Sequence, residues 1–180
     1  MHRVGNDGLT AQVTATNIGT AAAPFGYAAH PYLTVGESHV DEVSLTIPAA
    51  DYLEVDERLL PVAITSVQGR DYDCRAGAVV GARQFDTAFT TLARDPDGRW
   101  RVHLRDGGRE TTVWGDDACG WVQVFTGDSL SPALRRASGI AVEPMTCGPD
   151  AFNDGVTHAG MITIEPGKSI TLLWGIDAKV

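Results

Sequence analysis

Apolar and polar residues alternate in short runs along this chain, and Gly, Pro, Asp and Asn separate the runs. The period of two that marks a half-buried strand therefore recurs, while helical periodicity is almost absent. Residues 9–16 set Val13 and Ala15 on one face against threonines on the other, and Asn17-Ile18-Gly19 ends the run as a turn. Residues 43–47 repeat the pattern up to Pro48. Residues 89–93 lead into Asp95-Pro96-Asp97-Gly98, a strong turn signal; an alternating run over 100–104 follows, and Asp106-Gly107-Gly108 reverses the chain into 111–114. Further strands are predicted over 121–126 and 140–143. Two more, 161–164 and 169–176, are expected to pair with each other across Pro166-Gly167. Residues 62–67 and 130–137 carry slight helical character and read as loops or single turns. No repeat or linker divides the chain, so 1–180 reads as one all-β domain, an antiparallel β-sandwich.

Composition adds exclusions. The chain has 180 residues, 43% of them hydrophobic, enough to bury a substantial core without disulfides or a structural metal. Fourteen Lys and Arg stand against 23 Asp and Glu, a formal charge of -9, and no basic cluster occurs, which argues against nucleic acid as a partner. Cys74, Cys119 and Cys147 are odd in number and far apart, so no disulfide framework or zinc knuckle is suggested, and a cytoplasmic location is expected. The N-terminus lacks the apolar stretch of a secretory signal. Residues 8–36 carry no Asp, Glu, Lys or Arg, but Asn17, Pro24, His30 and Pro31 break the stretch, so no membrane span is expected.

Several chemical motifs fail. No glycine-rich phosphate loop is present, nor a helix for it to enter. Gly127-Asp128-Ser129-Leu130-Ser131 has Ser where a nucleophile elbow needs its last Gly. Residues 150–155 start like a calcium loop, but Phe152 holds the third ligand position and Met161 that of the bidentate glutamate. His39, His103 and His158 lack ligand spacing, so no metal is expected.

Two segments stand out. Pro24-Phe25-Gly26-Tyr27-Ala28-Ala29-His30-Pro31-Tyr32-Leu33 places a histidine among aromatic and small residues, directly before a proline that holds it extended. Ile140-Ala141-Val142-Glu143-Pro144 ends an apolar run on a carboxylate, again before a proline. Such a carboxylate is either partly buried with a raised pKa, or paired. For each residue alone, a strand-end side chain turned to solvent is the favoured account, because lone His and Glu are common at strand ends.

Together these segments resemble the aldose 1-epimerase (galactose mutarotase-like) family. Asn17-Ile18-Gly19, Pro24-Phe25-Gly26 and His30-Pro31-Tyr32 look like the stretch bearing the family's catalytic histidine. Phe85-Asp86-Thr87-Ala88-Phe89 looks like its sugar-binding aspartate motif, and residues 121–126 like the strand before its catalytic loop. Residues 143–153 resemble the loop with the catalytic glutamate, and Pro166-Gly167-Lys168-Ser169 to Trp174-Gly175-Ile176 the last hairpin. The resemblance implies a galactose mutarotase-like supersandwich that interconverts the α and β anomers of a free aldose. Glu143 would act as base and His30 as acid, on opposite sides of the sugar, while Asp86, Tyr32 and Phe125 bind it. Proton transfer suffices, so no cofactor is expected. Arg83 or Arg135 would suit a phosphorylated or sulfonated sugar. The alternatives are a non-catalytic carbohydrate-binding sandwich, an inactive truncated paralogue, or a glycoside hydrolase using Glu143 and Asp86 as its carboxylate pair. Family members carry a longer N-terminal segment, so the resemblance further implies a C-terminal portion, incomplete at the N-terminus, that self-associates through uncovered sheet edges.

Overall fold

The computed structural model describes residues 1–131 and 139–179. Their strands are β1 (His2–Gly5), β2 (Gly8–Thr16), β3 (Ala23–Phe25), β4 (Tyr32–Leu33), β5 (Ser44–Thr46), β6 (Ala49–Val55), β7 (Pro61–Ser66) and β8 (Ala78–Val79). They continue with β9 (Asp86–Leu92), β10 (Trp100–Asp106), β11 (Arg109–Gly115), β12 (Trp121–Phe125), β13 (Ile140–Met145), β14 (Ile162–Ile164) and β15 (Ser169–Lys179). The helical elements among the described residues are two single 3-10 turns, Val40–Glu42 and His158–Gly160. The expected all-β class is what the chain adopts. One sheet has the order β1-β2-β15-β11-β10-β5-β8, a second β4-β13-β12-β9-β6-β7, and β14 with β3 makes a small third.

Alternation builds the core between the two large sheets. Along β10, Trp100, Val102 and Leu104 are fully buried, while Arg101, His103 and Arg105 between them face outward. From the other sheet, Val122 and Val124 of β12, Ile140 and Val142 of β13, and Phe89 of β9 enter the same cluster. Each such side chain contributes about 1.5–3 kcal/mol by leaving water. The indole N–H of the buried Trp100 donates to the Cys119 carbonyl at 2.7 Å, so the largest core side chain leaves no polar atom unpaired.

Two expectations need correction. β14 and β15 do not pair with each other: β14 pairs with β3, and β15 lies between β2 and β11. β2 takes residues 169–176 of this eleven-residue strand and β11 takes 174–179, while β14 turns to β3. Asn17 holds the crossing. Its side-chain amide donates to the carbonyls of Ala21 and Ile164, and its backbone carbonyl accepts from Gly167, whose φ of +72° permits the turn. The second correction concerns residues 62–67, which form most of β7, paired antiparallel to β6. The β-branched Val62, Ile64 and Thr65 suit an extended chain. Asp56 Oδ1 accepts from the Arg58 and Leu60 amides to close the hairpin. β6 carries no turn or alternation signal strong enough to be marked in the sequence. The stretch 130–137 falls largely on residues 132–138, outside the described residues.

Gly175 marks a tight point of the seven-stranded sheet. A Cβ there would run into the Leu9 carbonyl oxygen and come within 2.5 Å of the Trp114 indole, and the first of these is backbone that cannot rotate away. Gly175→Ala is expected to destabilise the fold by about 1–3 kcal/mol. Thermal unfolding by circular dichroism should show a midpoint several degrees lower, with the transition still cooperative.

Candidate active site

Backbone pairing brings His30 and Glu143 together. The segment before β4 zips onto β13: Thr146 N–H donates to the Tyr27 carbonyl at 3.0 Å, Ala29 N–H to Pro144 at 3.1 Å, and Val142 N–H to Pro31 at 3.3 Å. Pro144 and Pro31, which have no N–H, take part through their carbonyls. Ala28 lies opposite Met145 and Tyr32 opposite Ala141, a register that sets His30 directly across from Glu143. The segment is also fastened by its side chains. Thr146 Oγ1 accepts from Tyr27 N–H, and the Trp174 indole N–H donates to the Tyr27 hydroxyl.

The same register extends across the sheet. Gln123 of β12 lies opposite Glu143 on one side and Ala88 of β9 on the other. In the neighbouring row Tyr32, Ala141, Phe125 and Asp86 stand side by side. Because Val122 and Val124 fill the core, Trp121, Gln123 and Phe125 belong to the opposite face of the sheet. All five residues expected at the site thus share one sheet face.

His30 Nε2 lies 3.1 Å from Glu143 Oε1, with the imidazole half-exposed and the carboxyl almost buried. The two groups are in direct contact, whereas the sequence argument set them on opposite sides of a sugar. The His30 ring packs on Tyr32, centroids 5.0 Å apart, and Tyr32 meets Phe125 edge to face at 6.5 Å. These three rings wall one flank. Asp86 is exposed at the first position of β9 and accepts from Gln123 Nε2 at 2.8 Å. Beside Asp86 and Phe125 opens a cleft of about 500 Å³, also lined by Tyr72, Gln84 and Asp128, a volume within the range of small-molecule sites. On the other flank Leu53, Ala88, Trp121 and Met145 form a separate apolar cluster. Another cleft, lined by Arg3, Gln12, Arg99 and Trp114, belongs to the seven-stranded sheet and lies apart from this chemistry.

Burial pushes the Glu143 carboxyl above its ordinary range; His30 pulls it back, and Asp86 adds to the rise. Glu110 shows the opposite balance. Burial also disfavours its charge, but hydrogen bonds from Lys179 and Arg105 outweigh that and hold it at about 2. Among the described residues Glu143 has one imidazole as its basic partner, and so remains a carboxyl that can exchange its proton.

Gln123 was not singled out in the sequence, since Val-Gln-Val-Phe reads as ordinary alternation. The available signal was its parity with Phe125, which places it on the face assigned to the sugar. Arg83 donates to the Val79 carbonyl, away from His30 and Glu143, and Arg135 lies outside the described residues. No group of three or more His, Cys, Asp or Glu placed to hold a metal occurs among the described residues.

Comparison with known proteins agrees with this architecture. The family model for aldose 1-epimerase matches residues 1–174. The uncharacterized protein YihR of Escherichia coli (strain K12) is 34% identical over 172 residues, covering 94% of this chain and 51% of YihR. Among solved structures, a galactose mutarotase-like protein from Clostridium acetobutylicum superposes with a TM-score of 0.81 at 15% identity, over 99% of this chain and 54% of that one. Galactose 1-epimerase from Lactobacillus acidophilus gives 0.77 at 19% identity, over 99% and 56%. These likenesses establish a galactose mutarotase-like sandwich. The chain spans about half the length of the relatives it matches.

Because the folded state raises the Glu143 pKa, ionised Glu143 opposes folding once the pH exceeds the midpoint the group has in the unfolded chain. Glu143→Gln is therefore expected to raise the thermal midpoint at neutral pH. The gain should shrink as the pH falls through the folded carboxyl's own midpoint, where both side chains are neutral. Thermal unfolding between pH 4 and 8 checks the sign.

Proposed function

The chain belongs to the aldose 1-epimerase family, and from that premise we propose that it interconverts the α and β anomers of a free aldose by general acid–base catalysis at His30 and Glu143. The observation that carries the proposal is the 3.1 Å contact between an accessible imidazole and a nearly buried carboxyl on an open sheet face. The two oxygens that must exchange protons, the anomeric hydroxyl and the ring oxygen, are bonded to the same carbon. An acid and a base held next to each other can therefore each reach one of them.

Ring opening runs as follows. The Glu143 carboxylate takes the proton of the C1 hydroxyl, the electron pair of that O–H bond forms the carbonyl, the bond from C1 to the ring oxygen breaks with its electrons left on the ring oxygen, and the ring oxygen takes a proton from His30. Rotation about C1–C2 presents the other face of the aldehyde. Closure reverses each transfer: His30 recovers its proton from the attacking hydroxyl, and Glu143 returns one to the carbonyl oxygen. Each group ends in its starting state, so no redox partner is consumed. A raised Glu143 pKa brings the base nearer neutrality, where it both accepts and returns a proton readily. Asp86 accepts hydrogen bonds from sugar hydroxyls, and Tyr32 and Phe125 pack against the C–H face of the ring.

The test is anomer exchange of glucose and galactose, followed by NMR after dissolving one pure anomer. His30→Ala and Glu143→Gln should each slow exchange by about 10²–10⁴-fold with the fold retained. Full exchange by a His30→Ala protein would overturn the proposal. Asp86→Asn should raise KM more than it lowers kcat, as expected for a residue that binds ground and transition states alike.

A further inference from the structure

The side-chain oxygen of Gln123 is buried without a hydrogen-bond partner, in a protein whose other buried side-chain polar atoms among the described residues are satisfied. Its amide cannot simply turn over. Gln123 Nε2 donates to Asp86 Oδ1 at 2.8 Å, and an ionised carboxylate only accepts, so the nitrogen must face Asp86 and the oxygen must face away from it. The register makes Glu143 the cross-strand neighbour on the β13 side, with Cβ atoms about 4.5–5.5 Å apart in such pairs. A carboxylate offers this oxygen nothing, because both are acceptors. A protonated carboxyl offers it an O–H.

We infer that Gln123 is a positioning residue for the Glu143 proton: its Oε1 accepts the hydrogen bond that Glu143 donates while it holds the proton taken from the anomeric hydroxyl. This rests on the acid–base reading above and adds the group that receives the proton-bearing state. Among the described residues the charged groups facing Glu143 are His30 from the edge segment and Asp86 from β9. His30 Nε2 is taken up by Glu143 Oε1, which leaves the second carboxyl oxygen to carry the proton toward Gln123. Asp86 acts indirectly, by holding the amide in the orientation that presents its oxygen.

The experiment needs no sugar. Carboxyl ¹³C shifts of the labelled, ligand-free protein are followed against pH for the native chain, Gln123→Met, Asp86→Asn and the double variant. Removing the acceptor should lower the Glu143 midpoint by about one pH unit. The drop should persist in the Asp86→Asn background, where the neighbouring charge is gone but the amide oxygen introduced there still accepts from Gln123 Nε2 and keeps its oxygen turned away. An unchanged midpoint, or a drop that disappears with the Asp86 charge, would overturn the inference. If the methionine variant does not fold, Gln123→Asn, which withdraws the amide by one methylene, is expected to give the same drop. Because titration is read without substrate, the result is independent of whether the chain exchanges anomers. Failure of the acid–base reading would show instead as full exchange by a His30→Ala protein.

Discussion

A carboxyl group held almost out of water on the face of a β-sheet is the constraint around which the rest of this structure is arranged. Glu143 occupies a strand whose six residues are all buried, so its carboxyl keeps only a small part of its surface in contact with water. Burial disfavours its charge, and the described residues answer with one imidazole rather than with the two cations that hold Glu110 ionised. The result is a group poised to gain and lose a proton.

That placement depends on backbone geometry more than on side-chain attraction. His30 is delivered by a short antiparallel ladder in which the prolines on either strand contribute carbonyls, so neither interrupts the pairing. A slip of one residue would send His30 to the other face of the sheet. Tyr27 resists such a slip, because its hydroxyl accepts from Trp174 and its backbone is bonded in both directions to Thr146. The core fixes β12 and β13 in turn: Val122, Val124, Ile140 and Val142 pack inward, so Gln123 and Glu143 must point out onto the site face.

The site joins two environments. Toward Asp86 and Phe125 it opens into a cleft lined by polar and aromatic groups, and away from them it is closed by Leu53, Ala88, Trp121 and Met145. The apolar flank keeps water from the carboxyl. The polar flank supplies acceptors for hydroxyl groups. These two flanks support the proposal of a sugar substrate, with hydroxyls around its rim and C–H bonds on its faces.

The sequence by itself determined the all-β class and most of the strands in the sheet centres, and it drew attention to His30 and Glu143, whose proposed roles came from the family resemblance. Alternation over β10 and β12 is a direct consequence of one face packing inward, and a proline after His30 or Glu143 constrains the backbone locally. Asp86 was legible only through the family resemblance, and Gln123 not at all, since a glutamine among valines is what any half-exposed strand shows. Tertiary structure alone decided the partners. β15 pairs with β2 and β11 rather than with its neighbour β14, and β7 becomes a strand because β6 offers it an edge. The contact of His30 with Glu143 belongs to the same class of fact. Local preferences act over a few residues, whereas pairing across more than a hundred positions is set by which edges and faces remain free once the two sheets have packed.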